Sequence, residues 1–443
     1  MASGDGLRQR HAEPTSSDDA MLTDDNVESL TQGVIPQASD STAPVIDNAL
    51  AALPPRWRNW VIRGMFSIIL ISMFSVLVYM GPVALMALVL IIQLKCFKEI
   101  IDIGHAVYRV YDLPWFRTLS WYMLMSTNYF FFGETLIDHW AIVLRKDEFL
   151  TMFVRYHRFL SFLLYMVGFV WFVLSLRKGY YMRQFSLFAY THFALFLLVL
   201  GALFITQNIV QGMIWFLIPV SMIICNDIMA YMFGFFFGKT SLIELSPKKT
   251  WEGFIGGAFS TILFGIVLSA WLCRFPKFIC PLTEGATTLV NGSANYSCNT
   301  PPSFLPQEYS LPGLLVPILK LLKRPTTIAL KPFLLHAAVM SVFASIVGPF
   351  GGFFASGFKR AFKIKDFGAV IPGHGGLMDR FDCQLLMGAF VWVYIQTFIK
   401  IPNVARIVNQ ALFLKPEDQL KLYQLLRSQL IDSGLLPQEL PGA

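Results

Sequence analysis

Long apolar runs constrain this chain more than any other feature, because segments of that length are unstable in water unless they are buried. About 20 apolar residues cross the hydrocarbon core of a bilayer as a helix, and the runs here are roughly 16–27 residues long. Since lipid offers no partners for backbone hydrogen bonds, each run should be helical. We predict an all-α polytopic membrane protein with about nine transmembrane helices. The runs lie at residues 64–80, 82–97, 118–137, 157–176, 184–206, 212–238, 252–273, 333–355 and 383–400.

Composition supports this class and sets off the two ends of the chain. Hydrophobic residues make up 55% of the sequence and charged residues 14%, against about 25% charged in soluble proteins. Residues 1–55 contain nine acidic and two basic residues, and such a segment buries too little apolar surface to fold. We predict a disordered acidic tail there, a transmembrane domain over residues 56–400, and an amphipathic segment over residues 401–443.

Basic residues between the apolar runs indicate the orientation in the membrane. With nine spans, most basic loops fall on the same side as the amino terminus, which is the cytosolic side by the positive-inside rule. The long loop 274–332 then faces the opposite, luminal side, and the side of residues 401–443 is left open. The basic residues concerned are Arg56, Arg58, Arg63, Lys95, Lys98, Arg177, Lys178, Arg183, Lys239, Lys248 and Lys249.

Two features of the loop 274–332 suit a luminal location. Asn291 and Asn295 each begin a glycosylation acceptor triplet, which is used only in the secretory pathway. Cys280 and Cys298 lie in the same loop and could form a disulfide, because the lumen is oxidising. The sequence leaves open whether either asparagine is modified and whether the two cysteines pair.

A polar stretch separates the last two apolar runs. Residues 356–382 read SGFKRAFKIKDFGAVIPGHGGLMDRFD. Asp379 and Asp382 are three residues apart, so in a helical turn they project from one face. Carboxylates so placed can bind one divalent ion or bridge two, and hard oxygen ligands suit Mg²⁺. Ionisable residues at the edge of an apolar span are costly unless they are paired or used, so this stretch predicts a cytosol-facing polar site.

Cations in the same stretch suit a phosphorylated substrate, since they can neutralise a polyphosphate. Basic loops also set membrane topology, and for Lys363 we favour that simpler explanation. His374 lies among glycines, where it would either polarise a phosphate or satisfy a turn. The candidate phosphate-binding cations are Lys359, Arg360, Lys365 and Arg380.

A second polar cluster interrupts the apolar pattern at residues 226–256. Asp227 lies within an apolar run, where a bare carboxylate is costly, and a metal ion or a cationic partner would explain it. Lys248 and Lys249 precede the next run, near an expected helix amino terminus, which favours anions. By the span count both clusters lie on the same face of the membrane, as one shared site requires.

At these positions the sequence resembles the phosphatidate cytidylyltransferases, also called CDP-diacylglycerol synthases. The segment 226–253 is similar to the family, and residues 111–117 and the acidic tail resemble its animal endoplasmic-reticulum members. The likeness covers about residues 56–400. Within 356–382 the family pattern is matched by Ser356, Lys359-Arg360, Lys365-Asp366, Pro372-Gly373-His374-Gly375-Gly376 and Asp379-Arg380-Phe381-Asp382.

The resemblance implies a reaction in which CTP and phosphatidate give CDP-diacylglycerol and diphosphate, feeding phospholipid synthesis. It implies Mg²⁺ as cofactor, an endoplasmic-reticulum membrane location and a cytosolic site. Catalytic roles are expected for Asp379, Asp382, Arg380 and His374; metal binding for Asp379, Asp382 and Asp227; and substrate binding for Ser356, Lys359, Arg360, Lys365, Lys248 and Lys249. The expected partners are CTP, phosphatidate and the lipid bilayer, with no nucleic acid, and a homo-oligomer is left open.

Three other functions fit parts of the same pattern. A CTP-dependent lipid kinase would transfer the γ-phosphate and release CDP instead of diphosphate. A CDP-alcohol phosphotransferase also handles CDP-lipids, but its signature Asp-x-x-Asp-Gly-x-x-Ala-Arg does not occur in this sequence. A transporter or lipid-binding scaffold could bury the same charges without catalysing a reaction.

Overall fold

Helices make up most of the regular structure of this protein. The chain divides into two compact units, Met1–Trp392 and Val393–Ala443, each treated by itself below. The acidic tail predicted for residues 1–55 lies, apart from Pro55, outside the described residues. The computed structural model describes residues 55–107, 115–144, 156–246, 249–282, 286–290, 293–298, 300–310, 327–368, 370, 375–399, 408, 411–412 and 414–435.

The described part of the first unit begins with helices that coincide with the first seven apolar runs. Gly81 alone separates the first two, and its φ of 107° is a conformation that glycine adopts readily. Their bounds are α1 Pro55–Met80, α2 Pro82–Val107, α3 Trp115–Leu144, α4 His157–Leu174, α5 Tyr181–Val210, α6 Ile214–Phe237 and α7 Trp251–Leu272.

The eighth apolar run, 333–355, forms two helices instead of one. They are α8 Pro332–Ile346 and α9 Gly348–Ala361. Pro349 explains the break, because proline has no N–H for the helical ladder and is tolerated only in a first turn. The next helix, α10 Met378–Tyr394, follows the polar stretch and covers most of the ninth run.

Six helices of the described residues are long and apolar enough to cross a bilayer. A further apolar segment, Gly64–Met80 within α1, is shorter. These helices fit a multi-pass, all-α membrane protein, whereas the number nine stays a prediction. The six are α4, α5, α6, α7, the combined segment Pro332–Ala361 and the segment Met378–Ile399.

Glycines allow α6 and α7 to pack with their backbones almost in contact. A Cβ on Gly253 would lie 2.5 Å from the carbonyl oxygen of Ala230, and one on Gly257 would lie 3.0 Å from the Ala230 Cβ. Small residues at such positions are a common means of helix association in lipid, where no hydrophobic driving force acts between helices. This packing fixes Asp227 on α6 relative to the residues that precede α7.

The loop predicted between residues 274 and 332 contains local structure. Strands β1 Ala286–Val290 and β2 Ser293–Ser297 form one antiparallel hairpin, and β3 Gln307–Ser310 pairs with β4 Thr327–Leu330 in another. Cys280 and Cys298 form a disulfide, so the pairing that the sequence left open is present. Asn291 lies outside the described residues, and Asn295 lies in β2.

The second unit contains a helix where the sequence predicts an amphipathic segment. This helix, α11 Pro416–Asp432, has no buried residue. Leu420, Leu425 and Leu426 are exposed on it, which leaves apolar surface available for a membrane or a protein surface.

The close packing of α6 and α7 predicts opposite effects for two Gly→Ala substitutions. Gly253→Ala should destabilise the protein by about 1–3 kcal/mol, because its methyl group would force the helix pair apart. Gly64→Ala is the matched control, since a Cβ there meets nothing within 4 Å, and alanine is the better helix former. Thermal melts in detergent should show a lower apparent Tm for Gly253→Ala only. Equal melting temperatures would contradict the packing argument.

Candidate active site

The carboxylate of Asp379 is held between the polar loop and the end of α9. Its Oδ1 accepts a hydrogen bond from Lys359 Nζ at 2.6 Å, and the two side chains form an ion pair. Its Oδ2 accepts backbone N–H groups from Phe367 at 3.0 Å and Gly376 at 3.3 Å. The Asp379 side chain is 8% exposed and that of Lys359 21%, so the pair is largely shielded from water.

The start of α10 is fixed by a residue that the sequence analysis did not select. Glu99 of α2 accepts the backbone N–H of Leu377 on Oε1 and that of Met378 on Oε2, both at 2.9 Å. Glu99 is 6% exposed. Its only sequence signal is an acid beside isoleucines in FKEIIDIG, where Asp102 follows three residues later, and this pattern does not by itself distinguish a buried acid from a surface charge.

Asp382 lies one turn further along α10 and faces the second polar cluster. Its Oδ1 accepts the N–H of Cys383 at 2.6 Å. Gly352 on α9 brings Oδ2 close to a cation: a Cβ on Gly352 would lie 3.6 Å from both Asp382 Oδ2 and Lys249 Nζ. The two segments that the sequence analysis assigned to one site therefore meet around Gly352.

Asp227 joins the same group from α6. It interacts electrostatically with Lys249 and Arg380 as opposite charges and with Asp382 as a like charge. Its neighbour Asn226 is buried, and the Asn226 Oδ1 accepts the hydroxyl of Thr261 on α7 at 3.3 Å. Asn226 thus contributes to helix packing, whereas Asp227 carries the charge that points to the site.

The other predicted substrate-binding residues lie on or just after α9. The Ser356 hydroxyl donates to the Gly352 carbonyl at 2.7 Å within the helix, which leaves its oxygen free to accept one more hydrogen bond. Arg360 and Lys365 have exposed side chains. Lys248 and His374 lie outside the described residues, so their predicted roles stay predictions.

Lys363 terminates α9 in a left-handed conformation, with φ of 49°. The N–H of Ile364 reaches back to the Lys359 carbonyl at 3.0 Å and that of Lys363 to Arg360 at 3.2 Å, as in a helix-ending Schellman motif. This turn redirects the chain so that Phe367 can reach Asp379. The backbone of Lys363 thus ends α9, while the topological role favoured for its charge stays a prediction.

Asp366 adds a further carboxylate beside Asp379. Burial raises the pKa of Asp366 above its usual range, and the negative charge of Asp379 raises it further, while Lys359, Lys365 and Arg380 oppose the shift. Gly375, with φ of 82°, lets the loop pass this carboxylate, since a Cβ there would lie 3.3 Å from Asp366 Oδ1. The glycines of the loop thus accommodate protein carboxylates as well as any ligand.

The carboxylates of the site suit a divalent ion that would also bind phosphate groups of a substrate. Among the described residues, no group of three or more His, Cys, Asp and Glu side chains could hold a metal ion by itself. Mg²⁺ is commonly held by one or two carboxylates together with substrate phosphates. Asp382 and Asp227 form such a pair, whereas both oxygens of Asp379 already accept hydrogen bonds from the protein.

Comparison with known proteins identifies the family. The profile of the Cytidylyltransferase family matches residues 61–398. This chain belongs to that family. It is 60% identical to the phosphatidate cytidylyltransferase of Caenorhabditis elegans over 413 aligned residues. The alignment covers 93% of this chain and 87% of that protein. It is 53% identical over 402 residues to the human phosphatidate cytidylyltransferase 1, with coverages of 91% and 86%. The human phosphatidate cytidylyltransferase 2 is 48% identical over 427 residues, with coverages of 96% and 94%. The resemblance inferred from the polar motifs is confirmed.

The ion pair predicts different effects for two lysines of the site. Lys359→Met leaves the largely buried Asp379 carboxylate without its cation and should destabilise the protein by about 2 kcal/mol. Lys365→Met removes the same charge from an exposed position and should change stability by less than about 0.5 kcal/mol. Thermal melts of both variants in detergent test this difference, and similar melting temperatures would contradict it.

Proposed function

We propose that this chain is a phosphatidate cytidylyltransferase, which converts CTP and phosphatidate to CDP-diacylglycerol and diphosphate. The single observation that carries the proposal is identity over nearly the whole chain to proteins of that name, at 60% and 53%. The site geometry supports it, because carboxylates and cations from two segments meet beside apolar helices. A lipid substrate and a nucleotide could approach such a site from the bilayer and from water, respectively.

The chemistry that this site would serve is a displacement at phosphorus. An oxygen of the phosphatidate phosphate attacks the α-phosphorus of CTP, a new P–O bond forms, and the bond from the α-phosphorus to the bridging oxygen breaks. Diphosphate leaves with that electron pair. A phosphate monoester has its second pKa near about 6, so the attacking oxygen is already anionic at neutral pH and no strong base is required.

The main obstacle is repulsion between two anionic substrates, and the positive residues of the site would oppose it. We assign phosphate binding to Lys249, Arg380, Arg360 and Lys365, with Lys359 holding Asp379 in place. Asp382 and Asp227 would hold Mg²⁺, with Asp379 as a further candidate. When bound, the ion supplies positive charge to phosphate oxygens.

We also propose that the site faces the cytosol, in the endoplasmic-reticulum membrane. The Cys280–Cys298 disulfide supports an oxidising compartment for the loop that contains it. The apolar helix α7 and the apolar segment Pro332–Ala361 both run from that loop to residues of the site. A luminal loop therefore implies a cytosolic site, where CTP is available.

The proposed reaction predicts which products form and which residues are required. Purified protein in lipid, given labelled CTP, phosphatidate and Mg²⁺, should release diphosphate and form CDP-diacylglycerol, and chelation of the metal should stop both. Asp379→Asn or Asp382→Asn should reduce the rate to below about 1% of the unchanged protein, because Asp382 would bind the metal and Asp379 holds Lys359 and the loop amides in place.

Lys363→Ala is the matched control, since the sequence favours a topological role for its charge, and it should stay within about threefold of the unchanged rate. No diphosphate release from folded protein supplied with lipid would overturn the enzymatic proposal. Release of CDP with a phosphorylated lipid would instead indicate the lipid kinase. Near-normal activity of Asp382→Asn would remove Asp382 from the metal set.

The proposed topology predicts glycosylation of the loop that carries the disulfide. Expression in microsomes should give a band that glycosidase shifts, and Asn291→Gln with Asn295→Gln should abolish the shift. As a control, an acceptor triplet introduced into the acidic tail should stay unmodified, because the positive-inside rule predicts a cytosolic amino terminus. Modification of the tail triplet would overturn the proposed orientation.

A further inference from the structure

A buried acid of α2 has no part in the chemistry proposed above, yet it binds two backbone amides next to the charged residues of the site. Glu99 is 6% exposed, and Ile100 and Ile103 beside it in α2 are also buried. A charge in such a place is costly unless hydrogen bonds compensate it. The structure supplies these from the backbone: Oε1 accepts Leu377 N–H and Oε2 accepts Met378 N–H.

These two amides stand at the start of α10, the helix that carries Asp379, Arg380 and Asp382. The first N–H groups of a helix have no acceptor within the helix, and a side chain just before the helix usually supplies one. In α10 the acceptor instead comes from Glu99, 278 residues earlier in the sequence. The position of α10 is therefore set by α2 and not only by the loop that leads into it.

The loop before α10 is shaped around the Glu99 carboxylate. A Cβ on Gly368 would lie 2.9 Å from Glu99 Oε1, and one on Gly376 would lie 2.9 Å from Oε2. The same Cβ on Gly376 would lie 3.0 Å from Asp379 Oδ2. The carboxylates of Glu99 and Asp379 thus both lie close to Gly376, with no room for a side chain there.

The helix that carries Glu99 is itself anchored to the rest of the site. The hydroxyl of Tyr190 on α5 donates to the carbonyl of Ile100 at 2.9 Å, and a Cβ on Gly104 would lie 2.5 Å from the Tyr190 ring. The same ring lies 6.2 Å from Phe358 of α9, next to Lys359. Tyr190 therefore links α2, which binds the start of α10, to α9, which carries Lys359.

We propose that Glu99 is a positioning residue for the transfer reaction, which sets the placement of Asp379, Arg380 and Asp382 by binding the amides at the start of α10. The inference rests on the proposed function for its kinetic consequence, and on the hydrogen-bond geometry alone for its structural one. Glu99 does not need to touch substrate. It acts by keeping the charged residues of α10 within the narrow range of positions that a displacement at phosphorus tolerates.

Glu99→Gln tests the proposal with the smallest change of shape. Glutamine has one acceptor oxygen and one NH₂ group, so one of the two backbone N–H groups would face a donor. We expect kcat to fall about 10- to 100-fold, as displacements of about 1 Å do, while KM for CTP changes less than about threefold. Peptides covering residues 375–380 should exchange amide hydrogen faster than in the unchanged protein.

Asp102→Asn is the matched control. It makes the same acid-to-amide change three residues further along α2, where Asp102 forms an exposed ion pair with Arg117 at 2.9 Å. We expect its kcat to stay within about twofold and hydrogen exchange at 375–380 to be unchanged. If Glu99→Gln does not fold, Gly368→Ala replaces it, because the added methyl group pushes on the Glu99 carboxylate without removing it.

The outcomes separate this inference from the proposed function. If the unchanged protein releases no diphosphate, the function fails, and faster exchange at 375–380 in Glu99→Gln alone still supports the anchoring of α10. If the unchanged protein is active and Glu99→Gln keeps its kcat per folded molecule, Glu99 is not a positioning residue. The same conclusion follows if activity falls only in proportion to the amount of folded protein, or if exchange at 375–380 does not change.

Discussion

The ion pair between Lys359 and Asp379 joins the two helices on which the site is built. Lys359 lies in the last turn of α9 and Asp379 in the first turn of α10. The residues between them form a loop whose amides at Phe367 and Gly376 also bind the Asp379 carboxylate. A single carboxylate thus closes the loop, orients it and positions Asp382 one turn away. Loss of either partner of this largely buried ion pair would leave an uncompensated charge. The ends of α9 and α10 are therefore held at a fixed separation.

Apolar packing sets the frame on which this charged region depends. Glycines on α9 let that helix approach α10 closely, since a Cβ on Gly351 would lie 3.0 Å from the backbone of Asp382. Glycines on α7 do the same toward α6, which carries Asp227. In lipid, helix contacts rely on such close backbone approach, because apolar side chains gain little by exchanging lipid tails for one another. The positions of the charges therefore follow from where small residues allow helices to meet.

The sequence predicted the positions of the helical segments well and singled out charged residues that the structure brings together, because both produce local signals. Runs of apolar residues have a length that a bilayer dictates, and Asp379 and Asp382 stand out against an apolar background. Glu99 could not be found in the same way, since its partners are backbone amides far away in the chain. The break at Val347 was also missed, although Pro349 gave a signal, because the apolar character of the run continues through it. The hairpins β1–β2 and β3–β4 lie in a region that hydropathy alone treats as a loop.

The balance of charge in the site bears on why a divalent ion would be needed. The four acids Asp227, Asp366, Asp379 and Asp382 are opposed by five cations, Lys249, Lys359, Arg360, Lys365 and Arg380, and Lys359 is already committed to Asp379. The protein groups therefore leave little positive charge to offset two anionic substrates. If the site bound phosphate without a metal ion, four acids would be unfavourable, since each carboxylate repels the negatively charged phosphate. Acids that remain at such a site are expected either to hold the backbone, as Asp379 does, or to bind a cation. Asp382 and Asp227 repel each other, and a divalent ion that entered with the nucleotide would convert this repulsion into binding for the ion and the phosphates together.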